Sequence, residues 1–263
     1  MVQGLRTSCH KRGIQFQLIT SKNTPYWPGA AYHLRDADYC FVWHGMSPWA
    51  AWAVNIRRLV EGHLRIVETG WFAQADNWHF DTQGIIGASS LCGPLGDAPG
   101  DALERKRDEY EKRIKDAAAP PLPEGSVLVP MQLTRDVAVY GYAPFKTNTA
   151  WADHVLDKFP DTPVVFKTHP KQAKLKIDRR GRDDVRIVTH GEFAAYARQA
   201  SRVYGQTSTA LYEAALVGCP VTTVGRCPLW YHSDKAEQLL RVMCHRQFPR
   251  VHRDYLSTLP EFA

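Results

Sequence analysis

Arg202-Val-Tyr-Gly-Gln-Thr-Ser-Thr-Ala-Leu-Tyr-Glu-Ala-Ala-Leu-Val-Gly-Cys-Pro-Val-Thr-Thr-Val224 is the stretch that decides the fold. Arg202–Gly205 is a short strand. Ser208–Val217 has the composition of a helix and stops at Gly218, a residue that closes helices. Pro220–Val224 is a strand again. A strand, a helix and a strand in so short a span make one βαβ unit, which requires a parallel sheet.

Working outward, the same alternation continues. Ser126–Gln132, Thr162–Thr168 and Val185–Thr189 are apolar runs of strand length. Helices are expected over Thr149–Phe159, Glu192–Ala200 and Ser233 to about His245. This half reads as a Rossmann-type doubly wound domain, in which ligands bind at the carboxyl ends of the strands. The first half repeats the pattern on a smaller scale. Ile14–Ile19, Tyr39–Trp43 and Leu64–Val67 are strand candidates, with a helix over Trp49–Leu59. Glu104–Lys115 is dense in both charges and reads as a solvated helix. The expected organisation is a domain over 1–118, a Pro- and Ala-rich linker over 119–125, and a second domain over 126–263. Two α/β domains would leave a central cleft between them, the usual place for chemistry.

Composition bounds the function. The 263 residues are 44% hydrophobic and 23% charged, which excludes a disordered tail, a collagen-like fibre and a coiled coil. No apolar run reaches the roughly 18 residues that span a bilayer. The start, Met-Val-Gln-Gly-Leu-Arg-Thr7, has no signal-peptide core behind it, so a cytoplasmic protein is expected, in a bacterial cell or in the host of a phage. The net charge of +6 suits nucleotides, phosphates, nucleic acid or acidic lipid, and equally suits simple solubility. None of the six cysteines pairs as CxxC, so they are expected as reduced thiols with no zinc site. P-loop, GxGxxG, GxSxG and HExxH motifs and the kinase signatures are absent.

Three strand-end groups remain. Lys167-Thr-His-Pro170 places a histidine and a lysine where a phosphate oxygen could be met, and the proline stiffens the turn. Gln206-Thr-Ser-Thr209 opens the helix that carries Glu213; its hydroxyls are helix caps by default and anion ligands by position. Glu68 ends a strand just before Gly70, and Asp81 follows in Asp81-Thr-Gln-Gly84. Either carboxylate could act as a general base; the plainer readings are an arginine partner for Glu68 and a turn for Asp81.

The order of these pieces resembles GT-B glycosyltransferases, and is most similar to the capsule polysaccharide transferases that include the bacterial Kdo transferases. Bacterial sialyltransferases share the logic. The resemblance rests on Glu68-Thr-Gly70, His169-Pro170 and Ser208-Thr209. It is extended by Asp81-Thr-Gln-Gly84 with Ser89-Ser-Leu91, by Val127-Leu-Val-Pro-Met-Gln132 and by Ala210–Val221. It implies a GT-B fold and a nucleotide-sugar donor, with no metal. Glu68 would be the base on the acceptor hydroxyl. His169, Ser208 and Thr209, with Lys167 nearby, would hold the donor phosphate; Glu213 would meet the ribose and Gln132 would line the pocket. By position, His44 follows a strand and could face the acceptor, its plainer reading being a satisfied loop histidine, and Trp71 is a further acceptor-side candidate. The sialyltransferase pattern puts its base at the second acidic position, which is Thr69 here, so Glu68 and Asp81 both stay open.

Three functions fit. The first is a transferase acting on a surface or capsular saccharide. The second is a phage-type enzyme that glycosylates 5-hydroxymethylpyrimidines in DNA, with Trp43, Trp49 or Trp71 available for stacking on a flipped base. The third is a non-catalytic α/β module that binds a nucleotide or nucleic acid.

Overall fold

The computed structural model describes residues 2–17, 35–44, 63–74, 76–117, 119–172, 174–249 and 256. Among them the elements run, in chain order, α1 (Val2–Lys11), β1 (Tyr39–Trp43), β2 (His63–Thr69), β3 (Asn77–Asp81), α2 (Asp101–Asp116), β4 (Val127–Pro130), α3 (Val137–Tyr142), α4 (Asn148–Lys158), β5 (Val164–Lys167), β6 (Val185–Val188), α5 (Phe193–Ala197), β7 (Arg202–Gly205), α6 (Ala210–Leu216), β8 (Val221–Thr223), α7 (Pro228–Tyr231), α8 (Ala236–Arg246) and β9 (Gln247–Pro249). The expected helix over 49–59 lies outside the described residues. Residues 14–17 are not in a strand, and 18–19 are outside the description. No helix among the described residues is long and apolar enough to cross a membrane.

The chain forms two compact units, Met1–Ile85 with Arg246–Ala263, and Ile86–His245. The segment 119–125, expected as a linker, and the charged helix α2 therefore both fall inside the second unit. Helix α2 is docked rather than solvated. Its Leu103 and Tyr110 are buried, and its charges reach partners on later elements: Arg107 to Glu237, Arg113 to Glu192, and Glu111 to Arg198.

The second unit holds a five-stranded sheet in the order β6-β5-β4-β7-β8, with every pairing parallel. All four residues of β4 and all four of β5 are buried. That is why these strands read as unbroken apolar runs. Trp151, Val155 and Leu156 of α4 pack with Val127, Val129, Val164 and Phe166 in one core. Thr147 caps α4 through its Oγ1, which accepts Ala150 N–H at 3.2 Å. Gly218 closes α6 with φ +82°, the left-handed conformation its position requires.

The first unit departs from the expected small α/β pattern. Its sheet runs β1-β2-β3-β9; β1 and β2 are parallel, while β3 and β9 are antiparallel additions. Gly70 explains the reversal. Its N–H donates to Asn77 O at 2.7 Å, and a Cβ there would lie 2.5 Å from Asn77 Cβ. Asn77, His79 and Asp81 alternate as buried residues along β3, so the polar side chains share one covered face. On the other face Trp78 and Phe80 pack toward Leu5, Cys9, Phe248 and Leu256.

Candidate active site

The sheet register of the first unit assembles one polar cluster. Glu68 lies opposite His79 across the β2–β3 pair, and Asp81 lies opposite Ile66. Trp43 aligns with Val67 across the parallel β1–β2 pair, which brings the next residue, His44, beside Glu68. His44 has φ +57°, unusual for a residue with a side chain. Its Nδ1 lies 2.5 Å from Glu68 Oε2. The N–H is poorly aligned on that oxygen, so the two groups are in close contact without a well-formed hydrogen bond. Glu68 Oε1 accepts from Thr69 N–H at 2.6 Å and from Thr69 Oγ1 at 2.9 Å. Burial pushes the Glu68 carboxyl up, but the attraction of His44 and the two Thr69 donors outweighs it, and its pKa is held below the ordinary carboxylate value. The arginine partner that sequence alone offers as the plainer account is replaced by His44.

His79 is a member that sequence reasoning missed. It is 3% exposed. Its Nδ1–H donates to Thr69 O at 3.0 Å, and its ring stacks on Trp71 with centroids 3.8 Å apart. Burial drives its pKa down to about 4, against the pull of Glu68 and Asp81. Trp71 is buried against this ring, and its backbone N–H donates to Gln247 Oε1 at 3.1 Å. It does not present an open acceptor platform. Asp81 Oδ1 accepts from Gln83 N–H at 2.7 Å and Gly84 N–H at 3.0 Å, the turn that is its plainer reading.

In the second unit the strand order reverses between β4 and β7, a topological switch point where parallel sheets bind ligands. Gln132 leaves the end of β4 and is 7% exposed. Its Oε1 accepts Thr207 N–H at 3.2 Å, and its Nε2 donates to Thr207 Oγ1 at 3.2 Å. Gln132 therefore holds the loop that presents Ser208 and Thr209, rather than lining a pocket with a free amide. Gln206 does similar work from the same loop, with Oε1 accepting Phe145 N–H at 2.9 Å. Ser208 Oγ accepts Ala210 N–H at 3.3 Å, so it caps α6. Thr209 makes no capping bond.

At the end of the neighbouring β5, Lys167 turns inward. Its Nζ donates to Thr168 O at 3.2 Å and Thr189 O at 3.1 Å, and burial lowers its pKa. It braces two strand ends instead of facing a ligand. Thr168 beside it is 2% exposed, and its hydroxyl has no partner. His169 Nδ1 accepts Lys171 N–H at 3.1 Å. That bond leaves the proton of the neutral ring on Nε2. Burial lowers the His169 pKa against the pull of Asp136, which favours this neutral donor form.

Glu213 lies in the first turn of α6. Tyr110 Oη, from α2, donates to its Oε1 at 3.0 Å. Burial raises its pKa to about 7, against Tyr110 and Arg113. The ribose contact implied by resemblance meets a carboxylate already joined to a neighbouring helix.

Residues 103–233 match the family described as "Capsule polysaccharide biosynthesis protein". The matched segment encloses β4 to β8 and the strand-end residues of the second unit, while His44, Glu68 and Asp81 lie outside it. The chain resembles capsule polysaccharide proteins. Two solved structures from Thermosulfurimonas dismutans share the fold. One is the KpsC beta Kdo 2,7 transferase, with TM-score 0.61 and 16% identity over 92% of this chain and 87% of that one. The other is the KpsC beta Kdo 2,4 transferase, with TM-score 0.58 and 14% identity over 92% and 86%. No curated protein matches the sequence.

Proposed function

We propose that the chain is a GT-B glycosyltransferase that moves a sugar from a nucleotide-activated donor to a hydroxyl of a surface or capsular saccharide. The observation that carries this reading is that the capsule-family match encloses the switch-point residues Gln132, His169, Ser208 and Thr209. In this reading the second, Rossmann-type unit binds the donor and the first supplies the proton acceptor. His169 Nε2–H and the Ser208 and Thr209 hydroxyls hold the donor phosphate and stabilise charge as it leaves. Gln132, Gln206 and Lys167 keep the loops in place. The cluster around Glu68 takes the acceptor proton. Asp81 supports the turn behind that cluster. Protein donors alone suffice for the leaving phosphate, so no metal is required. A cytoplasmic setting follows from the nucleotide-sugar donor.

The test is a panel of CMP-, UDP- and GDP-sugars, incubated with acidic and neutral saccharides and with plain and 5-hydroxymethylated DNA. Saccharide-dependent release of one nucleotide is the expected result. Release driven by modified DNA would move the acceptor to nucleic acid. Neither turnover nor nucleotide binding with any member would leave a non-catalytic module.

A further inference from the structure

The cluster at the end of β2 contains two groups able to take a proton, and its geometry orders them. Both oxygens of Glu68 are engaged, Oε1 by the Thr69 N–H and hydroxyl and Oε2 by the His44 ring. The Glu68 side chain is 15% exposed, and that of His44 is 34% exposed. His44 is thus the more solvent-accessible of the two. Its left-handed backbone also sets it apart. Such conformations are strained, and they gather at functional sites. Among the described residues, the charged and titratable groups around this cluster are Glu68 on β2, His79 and Asp81 on β3, and Arg246 at the end of α8.

We infer that His44 is the catalytic base, with Glu68 as its positioning residue. This rests on the transferase reading above. A carboxylate beside Nδ1 fixes the tautomer with hydrogen on Nδ1 and leaves the Nε2 lone pair open, the logic of a carboxylate–histidine pair. Catalytic hydrogen bonds commonly align only when substrate is bound, which fits the imperfect His44–Glu68 angle. In the chemical step the acceptor O–H gives its proton to His44 Nε2. The oxygen's electron pair forms the bond to the anomeric carbon, and the group displaced from that carbon leaves with its own bonding pair. The imidazolium that results is stabilised by Glu68 and later returns its proton to water. A partly buried glutamate whose Oε1 already accepts two hydrogen bonds and whose Oε2 faces the His44 ring is the poorer acceptor of the two, and its lowered pKa agrees.

The experiment uses the full chain labelled with 15N-histidine, with the His44 signals assigned by their loss in His44→Gln. Wild type should show hydrogen on Nδ1 and a bare Nε2, and Glu68→Gln should shift the ring toward the opposite tautomer. With a donor and acceptor from the panel, His44→Gln should lose on the order of 10³-fold in kcat, with the nucleotide dissociation constant within about twofold of wild type. The double variant His44→Gln/Glu68→Gln should be no slower than His44→Gln alone, as expected for residues that act as one unit. A tautomer unchanged by Glu68→Gln would overturn the pair. A His44→Gln enzyme that keeps more than a tenth of its rate while Glu68→Gln loses its own would return the base to Glu68 and leave the transferase reading standing. Absence of any turnover by wild type would overturn the transferase reading and the base with it.

Discussion

Glu68 and Glu213 are the same residue type in two regions that treat it in opposite ways. At the end of β2, Glu68 meets His44 and two donors from Thr69, which outweigh its burial and keep its pKa below the ordinary value. On α6, Glu213 has Tyr110 as its hydrogen-bond donor and the charge of Arg113 nearby, and burial prevails, lifting its pKa to about 7. The supply of donors, more than burial itself, decides whether a carboxylate stays charged. The first region holds its charge at neutral pH, and the second titrates there.

The two regions accordingly respond to pH in opposite directions. His79 falls from 6.5 to about 4 on folding, so it binds fewer protons in the folded chain. Its contribution is present above about 6.5 and is lost as the pH falls toward 4. Glu68, also lowered, acts with the same sign. Glu213 rises from 4.5 to about 7, so the folded chain binds its proton more tightly. Its contribution is full below about 4.5 and is lost as the pH rises through 7.

The largest effect expected from breaking this contrast is kinetic. Glu68→Gln should slow transfer by on the order of 10²–10⁴-fold, measured as kcat with the donor found in the panel, and should leave nucleotide affinity unchanged. Glu213→Gln should do the reverse, leaving chemistry intact and changing the pH profile of stability. Relative to wild type, it should gain about 1–3 kcal/mol at pH 8 and almost nothing at pH 5 in urea unfolding. An equal effect at both pH values would mean that Glu213 is charged in the folded chain throughout. Gln132→Ala should cost about 1–3 kcal/mol of stability, because Thr207 N–H and Oγ1 lose their buried partner. It should also weaken nucleotide binding, since the Ser208–Thr209 loop is no longer held. The smallest effect should follow from chelation: on the proposal that protein groups alone stabilise the leaving phosphate, EDTA should change the transfer rate by less than about twofold.

The two units also differ in how far they could be read beforehand. Val164-Val-Phe166 and Val127-Leu-Val129 are buried on both faces, so their apolar runs announce a parallel sheet, and Gly218 marks where α6 ends. Strand ends follow from that frame, which is why His169, Ser208 and Thr209 could be placed just beyond β5 and β7 from sequence. Their partners could not. Gln132 is joined to Thr207 across 75 positions and Tyr110 to Glu213 across 103, and no local pattern carries such pairings. In the first unit β3 hides itself, because Asn77, His79 and Asp81 are the residues that turn inward and Trp78 and Phe80 face the other way. The alternation of Asn77-Trp-His-Phe-Asp81 was the available signal for this strand and for His79.

The account stands most directly on where the nucleotide phosphate binds. Calorimetric titration of CMP, UDP and GDP into wild type, His169→Ala and Glu68→Gln tests that placement. One nucleotide should bind wild type and Glu68→Gln equally well, and His169→Ala at least about tenfold more weakly, the loss of one charge-assisted hydrogen bond. Equal binding by wild type and His169→Ala, or a loss confined to Glu68→Gln, would contradict a phosphate site at the carboxyl ends of β5 and β7.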